Sequence, residues 1–237
     1  MNGSVSELAR MEGRFVADGA GSLMARLKEA TRDLHRYAES RSLQVQMFRG
    51  EVDKGAFAAY LGQLYLVHLA LEAALAKVAE ARPAVAGVAR ADRPHADRLR
   101  DDLDHHGLAA DSIVPCAATR RLVAATERRE REEPLSLLGQ LYVLEGSTNG
   151  AKVLARVLSR AWRTDGAGLS SLDPYGDAQS ERWSAFKQGM DALGLDEQAQ
   201  AGLVEAARET FLAIADISDQ VAGGLAARTG GSERTEA

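Results

Sequence analysis

Cysteine is almost missing from this chain: 237 residues carry one, Cys116. A single thiol excludes an intramolecular disulfide framework and any cysteine-rich zinc or iron–sulfur site. Prolines number five and aromatics make up 5% of the residues, against 46% hydrophobic residues overall. An all-β sandwich needs β-branched and aromatic residues and frequent turn signals, so this composition argues against one. There is no basic block, and the formal net charge is −5, which argues against nucleic acid as a partner. Uninterrupted apolar runs of about 18 residues, the length a membrane span needs, are also lacking. MNGSVSELARMEGR at the N-terminus has charges where a signal peptide would have its apolar core. The expectation is a soluble, cytoplasmic protein with no membrane partner.

What is present is Ala, Leu and Val with few breakers, which points to helices. Segments 1–21 and 228–237 are polar and aperiodic and read as flexible ends flanking one helical domain over 22–227. Within it the first helix runs from an N-cap at Ser22 to about Ser40, and Asp53 caps a second to about residue 79. Asp92 and Pro94 open a third, closed by Gly107. A fourth covers about 116–132 and ends in the charge run ERREREE, read as a solvated face. Pro134 to about Arg163 is a long apolar segment interrupted by GSTNG. The loop TDGAGLSSLDPYG follows and supports no regular element. Helices opening at Asp177 and Asp196 complete an all-α chain, the last ending near Ala227.

Chemistry is concentrated in the first helix. At 100° per residue, Leu23, Leu27, Leu34 and Ala38 share an arc of about 60° and form a core face. Lys28, Arg32, His35 and Glu39 share a neighbouring arc of similar width. A neutral imidazole ligates a metal through one nitrogen while its other N–H donates to a carboxylate, fixing the tautomer. His35 and Glu39, four apart, suit that pairing, and the two cations suit an anionic group on the same ligand. The competing reading is an exposed charged face with an incidental histidine.

Gly146 and Gly150, one turn apart, cost a helix about 1 kcal/mol each relative to Ala. Either a turn breaks the segment there, the better reading from these residues alone, or a flat ligand or second backbone lies close against it. Other signals carry less. DDLDHHG (101–107) sits at a helix end and suits the dipole better than a metal. His95 reads as exposed, Trp162 and Trp183 as packing residues, and Cys116 as a small, partly buried one.

Taken together, LKEATRDLHRYAES (27–40) and LYVLEGSTNGAKVL (141–154) resemble the heme oxygenase family, the first its proximal-helix motif and the second the distal helix of its bacterial, biliverdin-producing branch. LYLVHLALEAAL (64–75), PYG (174–176), WSAFKQGM (183–190) and FLAIADISDQV (211–221) extend the resemblance over about 22–222. It implies a single-domain helical bundle with heme sandwiched between a proximal and a kinked distal helix. By the same resemblance His35 is the axial ligand of heme b and Glu39 its partner, with Lys28, Arg32 and Lys187 facing the propionates. Gly146 and Gly150 let the distal helix lie low over the ring. Phe211 is a pocket wall, and Tyr142 lines the same pocket. Ser147 stands where several members carry an aspartate anchoring distal water, and Ala151 where many carry another glycine; His68, where relatives carry a polar pocket residue, is expected to help hold water.

The resemblance implies cleavage of heme, as both cofactor and substrate, with O₂ and reducing equivalents to biliverdin, CO and Fe²⁺. Electrons then come from an external ferredoxin or flavin reductase, since the chain has no flavin or nicotinamide fingerprint. A biliverdin-using photoreceptor is a further implied partner. The alternative is a heme-binding carrier or sensor that kept His35 and lost turnover.

Overall fold

Residues 21–89 and 95–229 are described by the computed structural model of the chain. They form helices α1 (Leu23–Glu39), α2 (Ser42–Arg49), α3 (Lys54–Ala81), α4 (Pro83–Ala89), α5 (His95–His105), α6 (Ala117–Glu132), α7 (Leu137–Trp162), α8 (Gln179–Asp191) and α9 (Glu197–Thr229), with no strand among the described residues. The expected caps at Asp92 and Pro94, and nearly all of the expected flexible ends, lie outside them.

Local chemistry explains the starts of the first helices. Ser22 Oγ accepts from the Ala25 amide at 3.1 Å and opens α1, while Asp191 from α8 takes a second orphan amide, Met24 N–H, at 3.0 Å. Asp53 Oδ1 caps α3 through Ala56 N at 3.0 Å. Two helices had no strong sequence signal: α2 opens after Arg41 without a side-chain cap, and α4 is the short run PAVAGVA.

Two long helices organise the core. α3 has 28 residues and is long and apolar enough to cross a membrane by length and composition alone; 61% of its apolar window is buried inside the protein. Its apolar surface is covered by α4, α5, α6, α7 and α9, and Phe57, Leu61 and Leu71 are among its sealed side chains. α9 carries α1, α7, α6 and α2 along its length. Where α7 crosses α9 the backbones nearly touch: a Cβ on Gly139 would stand 2.0 Å from the Leu203 carbonyl oxygen. Only glycine fits that crossing.

Three sequence expectations need correction here. The charge run is not wholly solvated, because Arg129 is buried and paired with Glu209 of α9. The segment 164–176 contains a 3₁₀ turn, Ser170–Leu172, held by Asp102, which accepts from Ser170 N at 2.9 Å and Ser171 N at 2.7 Å. Finally, α7 does not break at GSTNG; it is one continuous helix.

Candidate functional site

α1 rests Leu23, Met24, Leu27, Thr31 and Ala38 on the core and keeps Leu34 half-buried. That leaves the stripe Lys28, Arg32, His35 and Glu39 exposed. His35 Nδ1 lies 3.4 Å from Glu39 Oε2, with the side chains 50% and 51% exposed. The imidazole stands edge-on to Phe211 of α9, ring centroids 5.5 Å apart and planes at 81°. The carboxylate thus lies within ion-pair distance of one ring nitrogen and the phenyl stands edge-on to the ring, while no described protein group bonds Nε2. Arg32 pairs with Glu29 on its own helix. Lys187 is half-buried on α8.

The GSTNGA segment keeps its helix although three consecutive side chains compete for its carbonyls. Ser147 Oγ donates to Leu144 O at 2.7 Å, Thr148 Oγ1 to Glu145 O at 2.7 Å and Asn149 Nδ2 to Gly146 O at 3.0 Å. The two glycines differ. A Cβ on Gly146 would meet the Trp183 ring at 3.4 Å, so the space there belongs to the indole rather than to a ligand. At Gly150 nothing lies within 4 Å of that position. Ala151 is half-buried against the core. Tyr142 lies tilted on Trp183, 6.2 Å between centroids, and Trp183 stacks on Phe186 at 5.3 Å. The sequence had read Trp183 as packing, and it packs.

His68 sits on α3 with Nδ1 3.9 Å from Glu72 Oε1 and its ring 5.1 Å from that of His95; Ser147 is exposed on α7 and bonds its own helix. Burial, reinforced by the charge of His95, pushes the His68 imidazole well below its ordinary pKa. Burial also raises the Glu72 carboxyl, against the pull of the amides of Ala96 and His95.

His95 was expected at the surface, and the structure buries it. Its Nε2 lies 3.1 Å from Tyr175 Oη and 3.4 Å from Glu145 Oε2, and Tyr175 donates to that same oxygen at 3.1 Å. A carboxylate only accepts, so Nε2 carries the proton. Glu72 Oε1 accepts the backbone amides of His95 and Ala96 at 2.9 and 3.0 Å. Sequence reasoning missed this cluster; its one signal was Glu145, a lone carboxylate within the apolar run of α7.

A separate cavity of about 260 Å³, lined by residues including Lys54, His105, His106 and Trp162, contains none of the residues that the resemblance assigns to the heme site.

An all-α bundle in which a half-exposed histidine–carboxylate pair and a glycine-punctuated helix share one long supporting helix is of the heme-oxygenase-like class. The structure of heme oxygenase from Leptospira interrogans superimposes with a TM-score of 0.78, covering 84% of this chain and 99% of that one at 22% identity. That of heme oxygenase-1 from the cyanobacterium Synechocystis sp. PCC6803 in complex with heme gives 0.78, covering 88% and 96% at 21% identity. In sequence the chain is 25% identical to heme oxygenase 1 of Gallus gallus over 193 residues, which spans 78% of this chain and 65% of that relative's length.

The heme oxygenase family model matches residues 21–219. The chain belongs to the heme oxygenase family, whose members are heme-degrading oxidoreductases.

A porphyrin iron fits the residues present. Imidazole is a proper iron donor for O₂ chemistry, no group among the described residues bonds His35 Nε2, and the Gly150 surface is open.

Proposed function

We propose that this protein cleaves heme, its cofactor and substrate, with O₂ and external electrons to biliverdin, CO and Fe²⁺. The observation that carries the reading is the His35–Glu39 pair set edge-on to Phe211. When bound, the iron porphyrin supplies the O₂ chemistry and its own ring is what is oxidised.

The chain's contribution is orientation. His35 would hold the iron through Nε2, and Glu39 fixes the tautomer that leaves Nε2 unprotonated. Phe211 limits ring rotation, and the open surface at Gly150 lets α7 approach the porphyrin face without a side chain intervening. Arg32 and Lys28, one and two turns before His35 on the same stripe, would meet the propionates; Arg32 must leave or share Glu29 to do so. Lys187 is the third cation assigned to that rim. A ferredoxin or flavin reductase would supply the electrons.

The test is aerobic turnover of the full chain loaded with hemin, followed by absorbance, with chromatography of the products. The expected result is loss of the Soret band with appearance of a bilin. A hemin complex that stays spectrally unchanged under turnover conditions would refute the reading.

One observation favours a heme carrier or sensor instead. Ser147, which stands where several members of the family carry an aspartate, spends its hydroxyl on its own helix. Ser147→Asp with Ala151→Gly separates the two: a large gain in turnover supports the carrier reading, and no gain supports a site that already works.

A further inference from the structure

The distal segment of α7 is poor helix by its own chemistry. Two glycines and three residues that bond their i−3 carbonyls occupy 146–150, a composition that weakens an isolated helix. Something outside the helix must hold it, and the contacts fall in an ordered set. Tyr175 donates to Glu145, whose same oxygen faces His95. Gln179 Nε2 donates to Thr148 Oγ1 at 2.8 Å and to Asn149 Oδ1 at 3.1 Å. Lys152 Nζ donates to Gly176 O at 2.5 Å and lies 3.9 Å from Asp173 and 3.7 Å from Asp177.

At 100° per residue Glu145, Thr148, Asn149 and Lys152 share an arc of about 100°. Gly146, Ser147 and Gly150 share another of about 100°, and the two arcs are centred about 160° apart. The contacts therefore grip the back of the helix, and Ser147 and Gly150 point the other way, with Gly146 beside them against the Trp183 ring. His95 adds a second anchor, because Glu72 of α3 fixes its backbone amide.

We infer that segment Asp173–Gln179, together with His95, is a brace that sets where the glycine face of α7 lies, making Tyr175 and Gln179 positioning residues. Resting on the heme-cleaving reading above, the inference adds that the brace selects which meso carbon of the porphyrin is attacked, since a rigid helix gripped from behind moves its front face with the grip.

The experiment uses the full chain with Tyr175→Phe, Gln179→Leu and the pair. In the heme-free protein, amide hydrogen exchange over 145–152 should quicken roughly tenfold in the double variant, with α9 unchanged. Once loaded with hemin, the double variant should give a changed ratio of bilin isomers, with the Soret position of the resting complex unchanged. Unchanged exchange over 145–152 would overturn the brace, and quickened exchange with an unaltered isomer ratio would overturn its positioning role. If the wild type forms no bilin, the heme-cleaving reading and the choice of meso carbon both fall, and the exchange data alone decide the brace. Tyr175→Phe, which keeps the ring, decides the exchange question if the double variant does not fold.

Discussion

His35 and Glu39 are four residues apart on one helix and half exposed. His95, Glu145 and Tyr175 come from two helices and a loop, 30 to 80 residues apart, with the side chains of His95 and Glu145 only 8% and 1% exposed. Both are imidazole–carboxylate pairs at 3.4 Å. The first is built so that one nitrogen stays available, and its loss exposes nothing. The second is built so that Nε2 meets both a carboxylate and a phenol, and its loss strands polar atoms in the core. In the proposed reading the same chemical pair serves as a ligand holder at His35 and as a structural rivet at His95.

The sharpest way to break this contrast is to cut each pair and measure stability and heme binding separately. Glu145→Ala should cost about 2–4 kcal/mol in urea unfolding of the heme-free protein, because the buried His95 and the half-buried Tyr175 lose this acceptor. His35→Ala should leave that unfolding curve within about 0.5 kcal/mol of wild type, while hemin titration loses the His-ligated Soret band. Glu39→Gln is the gentler version: heme affinity should fall by about tenfold, the scale for removing the partner of a ligating histidine, again with little change in stability.

Gly150→Ala sharpens the distal side. With no atom within 4 Å of the new methyl, the heme-free protein should gain about 0.5–1 kcal/mol from helix propensity. A loss of stability would mean the open surface is not open.

The smallest effect concerns pH. His68 is held well below its ordinary value near 6.5 by burial and by His95. The unfolded chain therefore binds a proton that the native state refuses, so this contribution to stability is intact above about pH 6.5 and declines as pH falls below it, by up to about 1.4 kcal/mol per unit. Glu72, raised by burial, works the other way, its contribution lost as pH rises through its folded value. His68→Asn should flatten the fall in unfolding free energy below pH 6.5.

This contrast also explains what could be read from the chain. α1 was legible because its cap, core face and chemical stripe all lie within 18 residues and follow one period. The burial of His95 was not, because its partners stand 50 and 80 residues away, and Arg129 was misread for the same reason, its partner being Glu209. The unbroken course of α7 escaped local reasoning too. GSTNG is locally a helix breaker, and the contacts from Tyr175, Gln179 and the Gly176 carbonyl that keep it helical come from beyond a loop. Gly146 and Gly150 look alike in the sequence, yet only the folded chain shows that one faces an indole and the other open space.

The most direct test of the central claim is the spectrum of the ferric heme complex of His35→Gly, recorded before and after adding imidazole. The account predicts that the variant lacks the histidine-type Soret band and that free imidazole, filling the place of the missing ring, restores it. A variant that shows the wild-type band without imidazole would contradict it, because another residue would then hold the iron.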